Sequence, residues 1–139
     1  MRRIIRHSTM LALQKEVLHA MFDQAIFTDC ETDPDVALER IFKQYSSVPH
    51  SPGLLHHTWN SHLIAYGATY YSYLYSKVLA ADVWDRLFSL DPLSREGGHV
   101  LHDSFLSCGG AKASRDVEYD LLGGRRAQVG PMLARGLQT

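Results

Sequence analysis

The sequence predicts an all-α fold. Apolar residues recur at helical spacing over long stretches, Asp-Pro and Gly-Gly pairs punctuate those stretches, and no stretch alternates apolar with polar residues as a half-buried strand does. At 139 residues the chain is expected to form one helical segment over 1–139, with enough apolar material to bury a core.

The first helix is expected over 3–27, with Met10, Leu13, Val17 and Met21 on one stripe and Leu11, Leu18, Phe22 and Ala25 beside it. Arg2, Arg3, Arg6, His7 and Lys15 precede the first acid, Glu16, which has the character of a mitochondrial presequence. The same periodicity continues unbroken to Ile26, so the folded helix is the favoured reading. Asp33 and Pro34 form an N-cap and N1 pair for a second helix whose buried side is Val36, Leu38, Ile41, Phe42 and Tyr45. A loop follows over 46–53, and 54–63 is a short helix or structured turn.

From Ala68 a helix is expected through Phe88, with Val78, Leu79, Val83, Trp84 and Leu87 on its apolar face. Asp91-Pro92 repeats the earlier start signal for a helix over 93–106, weakened by Gly97-Gly98 and ended by Gly109-Gly110. Another helix runs from about Ser114 to Leu122 and stops at Gly123-Gly124. The last, 125–137, is interrupted near Gly130-Pro131.

A net charge of −1 gives no broad electrostatic reason to expect nucleic acid or an anionic membrane as partner. Cys30 and Cys108 are far apart and lack the paired spacing of a zinc or redox motif, so two free thiols are expected. No apolar run approaches the roughly 20 residues that span a bilayer, and a soluble protein is expected.

The most distinctive stretch is 61–76, which holds five of the seven tyrosines. In a helix, Tyr66, Tyr70 and Tyr73 would follow an i, i+4, i+7 pattern and share a face, with Tyr71 and Tyr75 on a neighbouring stripe. A phenol has an apolar body and a neutral hydrogen-bonding tip at physiological pH, so such a row can fill a core or line a cleft. His62 and the small-residue turn Ala65-Tyr66-Gly67 lie just before the helix, where a chain can approach a ligand closely.

The run His62-Leu-x-x-Tyr66-Gly67-Ala68-x-Tyr70-Tyr71-Ser72-Tyr73-Leu74-x-Ser76 resembles the tyrosine-rich segment near the C-terminus of the thimet oligopeptidase and mitochondrial intermediate peptidase family of zinc metallopeptidases. Its Tyr-Gly-Ala and Tyr-Tyr-Ser-Tyr-Leu forms are nearer to the mitochondrial branch. The resemblance is strong over 62–84, extends through Asp91-Pro92, Gly109-Gly110 and the helix to Leu122, and is weak at both ends. It implies the C-terminal part of a mostly helical catalytic domain, with a peptide substrate or presequence intermediate and a mitochondrial matrix address.

Such enzymes hold zinc on a His-Glu-x-x-His helix whose glutamate activates water. None of the eight histidines here is followed by glutamate, so no metal is assigned to this chain and zinc is expected only in a complete family enzyme. His99 and His102 have an i, i+3 spacing without a completing carboxylate, and the adjacent His56-His57 would point apart on a helix. What the resemblance implies instead is the wall opposite the metal. His62 would contact substrate, Tyr66 and Gly67 would belong to a substrate-contacting loop, and Tyr70 and Tyr73 would donate hydrogen bonds to substrate or to the tetrahedral oxyanion. Ala65 stands where relatives often carry glycine, and the loop is shorter than in cytosolic oligopeptidases.

Two functions follow. One is the C-terminal substrate-contacting segment of a zinc endopeptidase, as a fragment or one piece of a split enzyme with a separate N-terminal metallopeptidase chain, inactive alone. The other is a non-catalytic helical subunit of a larger assembly, or a peptide-binding protein derived from such a peptidase. Stacking of single-stranded nucleic acid on the tyrosines would need a basic groove, and Arg2, Arg3, Arg125 and Arg126 are too dispersed in sequence to suggest one.

Overall fold

Helix α1 spans Arg2–Phe27 and α2 spans Pro34–Tyr45 in a computed structural model that describes residues 2–28, 33–49, 51, 58 and 60–138, with side chains described over 10–28, 33–49, 51, 58 and 60–135. Cys30, His56 and His57 lie outside these residues. The chain divides into two compact units, 1–75 and 76–139.

The first unit is built on α1 and α2. Leu18, Phe22 and Ala25 of α1 meet Ala37, Leu38 and Ile41 of α2, and Leu63 closes the cluster. Each buried Leu, Ile or Phe contributes about 1.5–3 kcal/mol through loss of apolar surface from water. Val36 and Tyr45, expected inside, are exposed; Ala37 takes the buried position instead. Asp33 does cap α2, accepting from the amides of Asp35 at 2.9 Å and Val36 at 3.3 Å, with Pro34 opening the helix where no N–H is needed. Gln14 on α1 secures the other end by donating to the Tyr45 carbonyl at 3.1 Å and accepting from the Ser47 hydroxyl at 2.7 Å.

Helix α3 is short, Ser61–Ala65, and is capped by Asn60, whose side chain accepts from the His62 amide at 3.2 Å. Helix α4 spans Tyr71–Leu87 rather than starting at Ala68, and the boundary between the units falls inside it. Between α3 and α4 the chain turns through Ala68 at φ 62°, which stops α3 and α4 from merging.

In the second unit, Val83 of α4 packs with Val117, Leu121 and Leu122, and Leu79, Leu87, Leu101 and Ala127 surround them. Helix α5 spans Arg95–Leu101 and continues as a π-helical turn over His102–Leu106. Its cap is Ser94, accepting from the Gly97 amide at 3.1 Å, not Asp91. Asp91 uses its carboxylate locally on the Leu93 amide at 3.0 Å, so Asp91-Pro92 opens a turn that delivers Ser94. A Cβ on the buried Gly97 would sit 2.6 Å from the Leu87 carbonyl oxygen, so this glycine permits a close crossing.

Helix α6, Ser114–Leu121, ends as expected at Gly123-Gly124. The Gly124 amide donates to the Tyr119 carbonyl and the Gly123 amide to that of Asp120, with Gly123 at φ 69°, which is a Schellman ending. Helix α7, Val129–Gln138, is not interrupted by Pro131, because a proline in the first turn removes an N–H that has no intrahelical partner. The structure is all-α: no strand occurs among the described residues.

Candidate aromatic site on the first unit

Of the five residues singled out by sequence, four have rings that converge, and Gly67 lies in the turn that joins them. His62 on α3 is the centre. Its ring lies 5.4 Å from Tyr66, 4.9 Å edge-on from Tyr70 and 5.3 Å from Tyr73, and Tyr70 and Tyr73 are 5.4 Å apart. The Tyr73 hydroxyl is 3.4 Å from His62 Nδ1, a long contact.

The convergence does not come from one helix face. Tyr66 is the C-cap of α3, Tyr70 is the residue before α4, and only Tyr73 lies within α4. The turn brings Tyr66 beside His62 from the end of one helix and Tyr70 from the start of the next. Tyr66 and Tyr73 are 64% and 51% exposed, so their phenols face solvent. Tyr70 is half-buried, and its hydroxyl titrates above the ordinary value of 10.0, chiefly through burial, with the Glu16 carboxylate and Tyr73 adding to the effect. Tyr70 therefore stays a neutral donor well beyond physiological pH. His62 Nε2 is buried and meets no hydrogen-bond partner among the described residues.

Three residues of α1 that sequence reasoning passed over complete the site. His19 stacks on Tyr70 at 5.5 Å. Asp23 is fully buried, with one carboxylate oxygen accepting from the Ala68 amide at 3.0 Å and the other from the Tyr70 amide at 2.9 Å. Gln24 donates to the Ala68 carbonyl at 3.0 Å, and the Thr28 hydroxyl donates to its amide oxygen at 3.2 Å. The one signal of this in the sequence is an acid among the apolar residues 18–26, with no lysine or arginine one turn away. Gly67 is pressed against α1 as well: a Cβ there would fall 2.9 Å from the Phe27 ring.

The arrangement offers phenol hydroxyls, which can donate hydrogen bonds, on a base of packed aromatic rings. It does not fit zinc. His62 and His19 stand on either side of Tyr70, both oxygens of Asp23 are taken by backbone amides, and no group of three histidine, cysteine, aspartate or glutamate side chains that could hold a metal occurs among the described residues. His102 Nδ1 pairs with the exposed Asp103 at 2.8 Å. No helix among the described residues is long and apolar enough to cross a membrane.

Comparison with known proteins agrees with the tyrosine motif. The chain is 38% identical over 114 residues to the mitochondrial intermediate peptidase of Arabidopsis thaliana, which covers 80% of this chain and 16% of that protein. It is 46% identical over 75 residues to the mitochondrial intermediate peptidase of Coprinopsis scobicola, covering 54% of this chain and 10% of that protein. The Schizosaccharomyces pombe mitochondrial intermediate peptidase is 33% identical over 110 residues, covering 76% of this chain and 14% of that protein. The chain thus spans well under a fifth of the length of these relatives. The model of peptidase family M3 matches residues 1–136, nearly from end to end, and the chain belongs to that family.

Proposed function

We propose that these residues form the substrate-facing wall of a zinc endopeptidase of the mitochondrial intermediate type, acting on peptides or presequence intermediates in the mitochondrial matrix. The observation that carries this reading is the gathering of His62, Tyr66, Tyr70 and Tyr73 into one cluster in which Tyr66 and Tyr73 are exposed. The names of the relatives favour it.

In this reading Tyr73 and Tyr70 are the catalytic donors. Their hydroxyls hydrogen-bond the peptide, or the oxyanion that forms from its scissile carbonyl, and His62 holds Tyr73 through Nδ1. Tyr66 and Gly67 shape the loop against which the peptide lies. A preorganised donor of this kind contributes about 3 kcal/mol to transition-state stabilisation. The residues here bind and orient; zinc and the base that activates water belong to a His-Glu-x-x-His helix outside these 139 residues, and the chain alone is inactive.

Replacing Tyr73 by Phe in a complete enzyme keeps the ring and deletes the donor. We expect kcat to fall roughly 100-fold with KM little changed. Unchanged turnover would remove Tyr73 from the mechanism. A second reading is a non-catalytic helical subunit or peptide-binding protein, in which the exposed Tyr66 and Tyr73 contact a peptide without cutting it. Native material of this length that binds peptides without stoichiometric zinc would decide for it.

A further inference from the structure

The turn that assembles the aromatic site is held from outside itself. Ala68 sits at φ 62°, a left-handed conformation that is unfavourable for a residue with a Cβ relative to the right-handed one. Both of its backbone polar groups are tied to α1, the amide to Asp23 and the carbonyl to Gln24. The second Asp23 oxygen takes the Tyr70 amide, the last donor before α4, where a negative charge is also favoured by the helix dipole. Other bonds of the turn, from the Thr69 amide at 3.3 Å and its hydroxyl at 2.6 Å to the Tyr66 carbonyl and from the Ser72 amide at 3.0 Å to the Thr69 carbonyl, close it locally but do not tie it to α1.

We propose that Asp23, assisted by Gln24, is a positioning residue for the aromatic site: it holds Ala68 left-handed and the first turn of α4 in register, and so keeps Tyr66 and Tyr70 against His62. The proposal rests on the reading of Tyr70 as a substrate-facing donor. Asp23 is fully buried and its two oxygens are occupied by amides, so it acts only through the turn. Replacement by asparagine keeps the size but turns an NH2 group toward a backbone N–H, which loses one bond and sets two donors face to face.

The test compares wild type, Asp23→Asn, Gln24→Ala, Asp23→Asn with Ala68→Gly, and Tyr70→Phe in the complete enzyme. Peptide turnover is measured alongside the NMR titration of Tyr70 in protein with labelled tyrosine rings. For Asp23→Asn we expect kcat to fall about tenfold with KM within about twofold. The Tyr70 titration should move down toward its ordinary value, because a loosened turn admits water to the phenol. Gln24→Ala should show the same changes, smaller. Glycine at position 68 adopts the left-handed conformation without help, so the double variant should recover most of the lost turnover and of the titration shift.

A Tyr70 titration unmoved by Asp23→Asn overturns the proposal. So does a loss of turnover that tracks a lowered unfolding midpoint and is not recovered by glycine, since that marks a residue supporting the unit as a whole. If Tyr70→Phe turns over normally while Asp23→Asn still shifts the Tyr70 titration, the hold on the turn stands and the peptide-facing reading falls.

Discussion

Asp23 and Asp82 occupy comparable places in the two units: each is an aspartate on a long helix, each is almost without solvent exposure, and each accepts from an amide just ahead of another helix. Their partners differ. Asp82 is met by both terminal nitrogens of Arg125 at 2.6 Å in addition to the Gln128 amide at 2.8 Å. Glu118 repeats the pattern, taking Arg126 at 2.8 Å and the Ala127 amide at 2.6 Å. Asp23 is met by two amides, and among the described residues by no cation. A buried carboxylate matched by arginine is strongly tied to one arrangement, because either charge left alone is costly. One matched only by amides selects a backbone path. The second unit uses its buried acids to lock 125–128 in place, and the first uses its acid to shape a turn that carries exposed phenols.

That contrast can be broken most forcefully from the arginine side. Arg125→Ala leaves Asp82 with one amide for company, and because Arg125 is itself 40% exposed we expect a loss of about 2 kcal/mol, below that of a fully buried pair, in urea unfolding of the second unit at neutral pH. A loss below about 1 kcal/mol would mean that Asp82 relies on Gln128 as Asp23 relies on its amides, and the distinction would collapse.

Acid sharpens the comparison further. The Arg125 hydrogen bonds hold the Asp82 carboxyl below its ordinary 3.8, against the opposing effect of burial, with the Gln128 amide assisting. A carboxyl lowered in the folded state contributes stability that is fully present above its unfolded value and is lost as pH falls through the folded one. The urea midpoint of the second unit should therefore hold steady above about pH 5 and drop below about pH 4, and Arg125→Ala should flatten that drop. An unchanged slope in the variant would assign the acid sensitivity to other carboxyls.

The smallest effect belongs to the first unit. Ala68→Gly removes the cost of a Cβ at positive φ and is expected to raise stability by up to about 1 kcal/mol, offset in part by the freer unfolded chain. A destabilisation seen by thermal unfolding would show that the left-handed turn is not what Asp23 works against.

Local signals were legible in the sequence because their partners are local. Asp33-Pro34 starts α2 and Gly123-Gly124 ends α6, each through bonds within a few residues. Asp91-Pro92 carries the same letters but makes a turn, because Ser94 stands three residues on and has the better cap geometry for α5. Tyr66, Tyr70 and Tyr73 do meet at His62, but by a route their spacing does not show. Helical spacing placed Tyr66 and Tyr70 on one face, whereas they reach His62 from two helices across a bend whose left-handed residue is an alanine. Nothing in a single sequence marks alanine for that conformation. Asp23 and Asp82 stayed hidden for a related reason: their partners lie 45 and 43 residues away, beyond the reach of any periodicity.

The two bonds that Asp23 accepts also bear on time. The Ala68 and Tyr70 amides sit in a bend open enough for Tyr66 to face water, where backbone hydrogens ordinarily exchange with solvent quickly. Held by a buried carboxylate on another helix, these two hydrogens leave only when the bend lifts from α1. Their exchange clocks that lifting separately from the unfolding of α1 and α2, so a pair of amides becomes a local timer for the site.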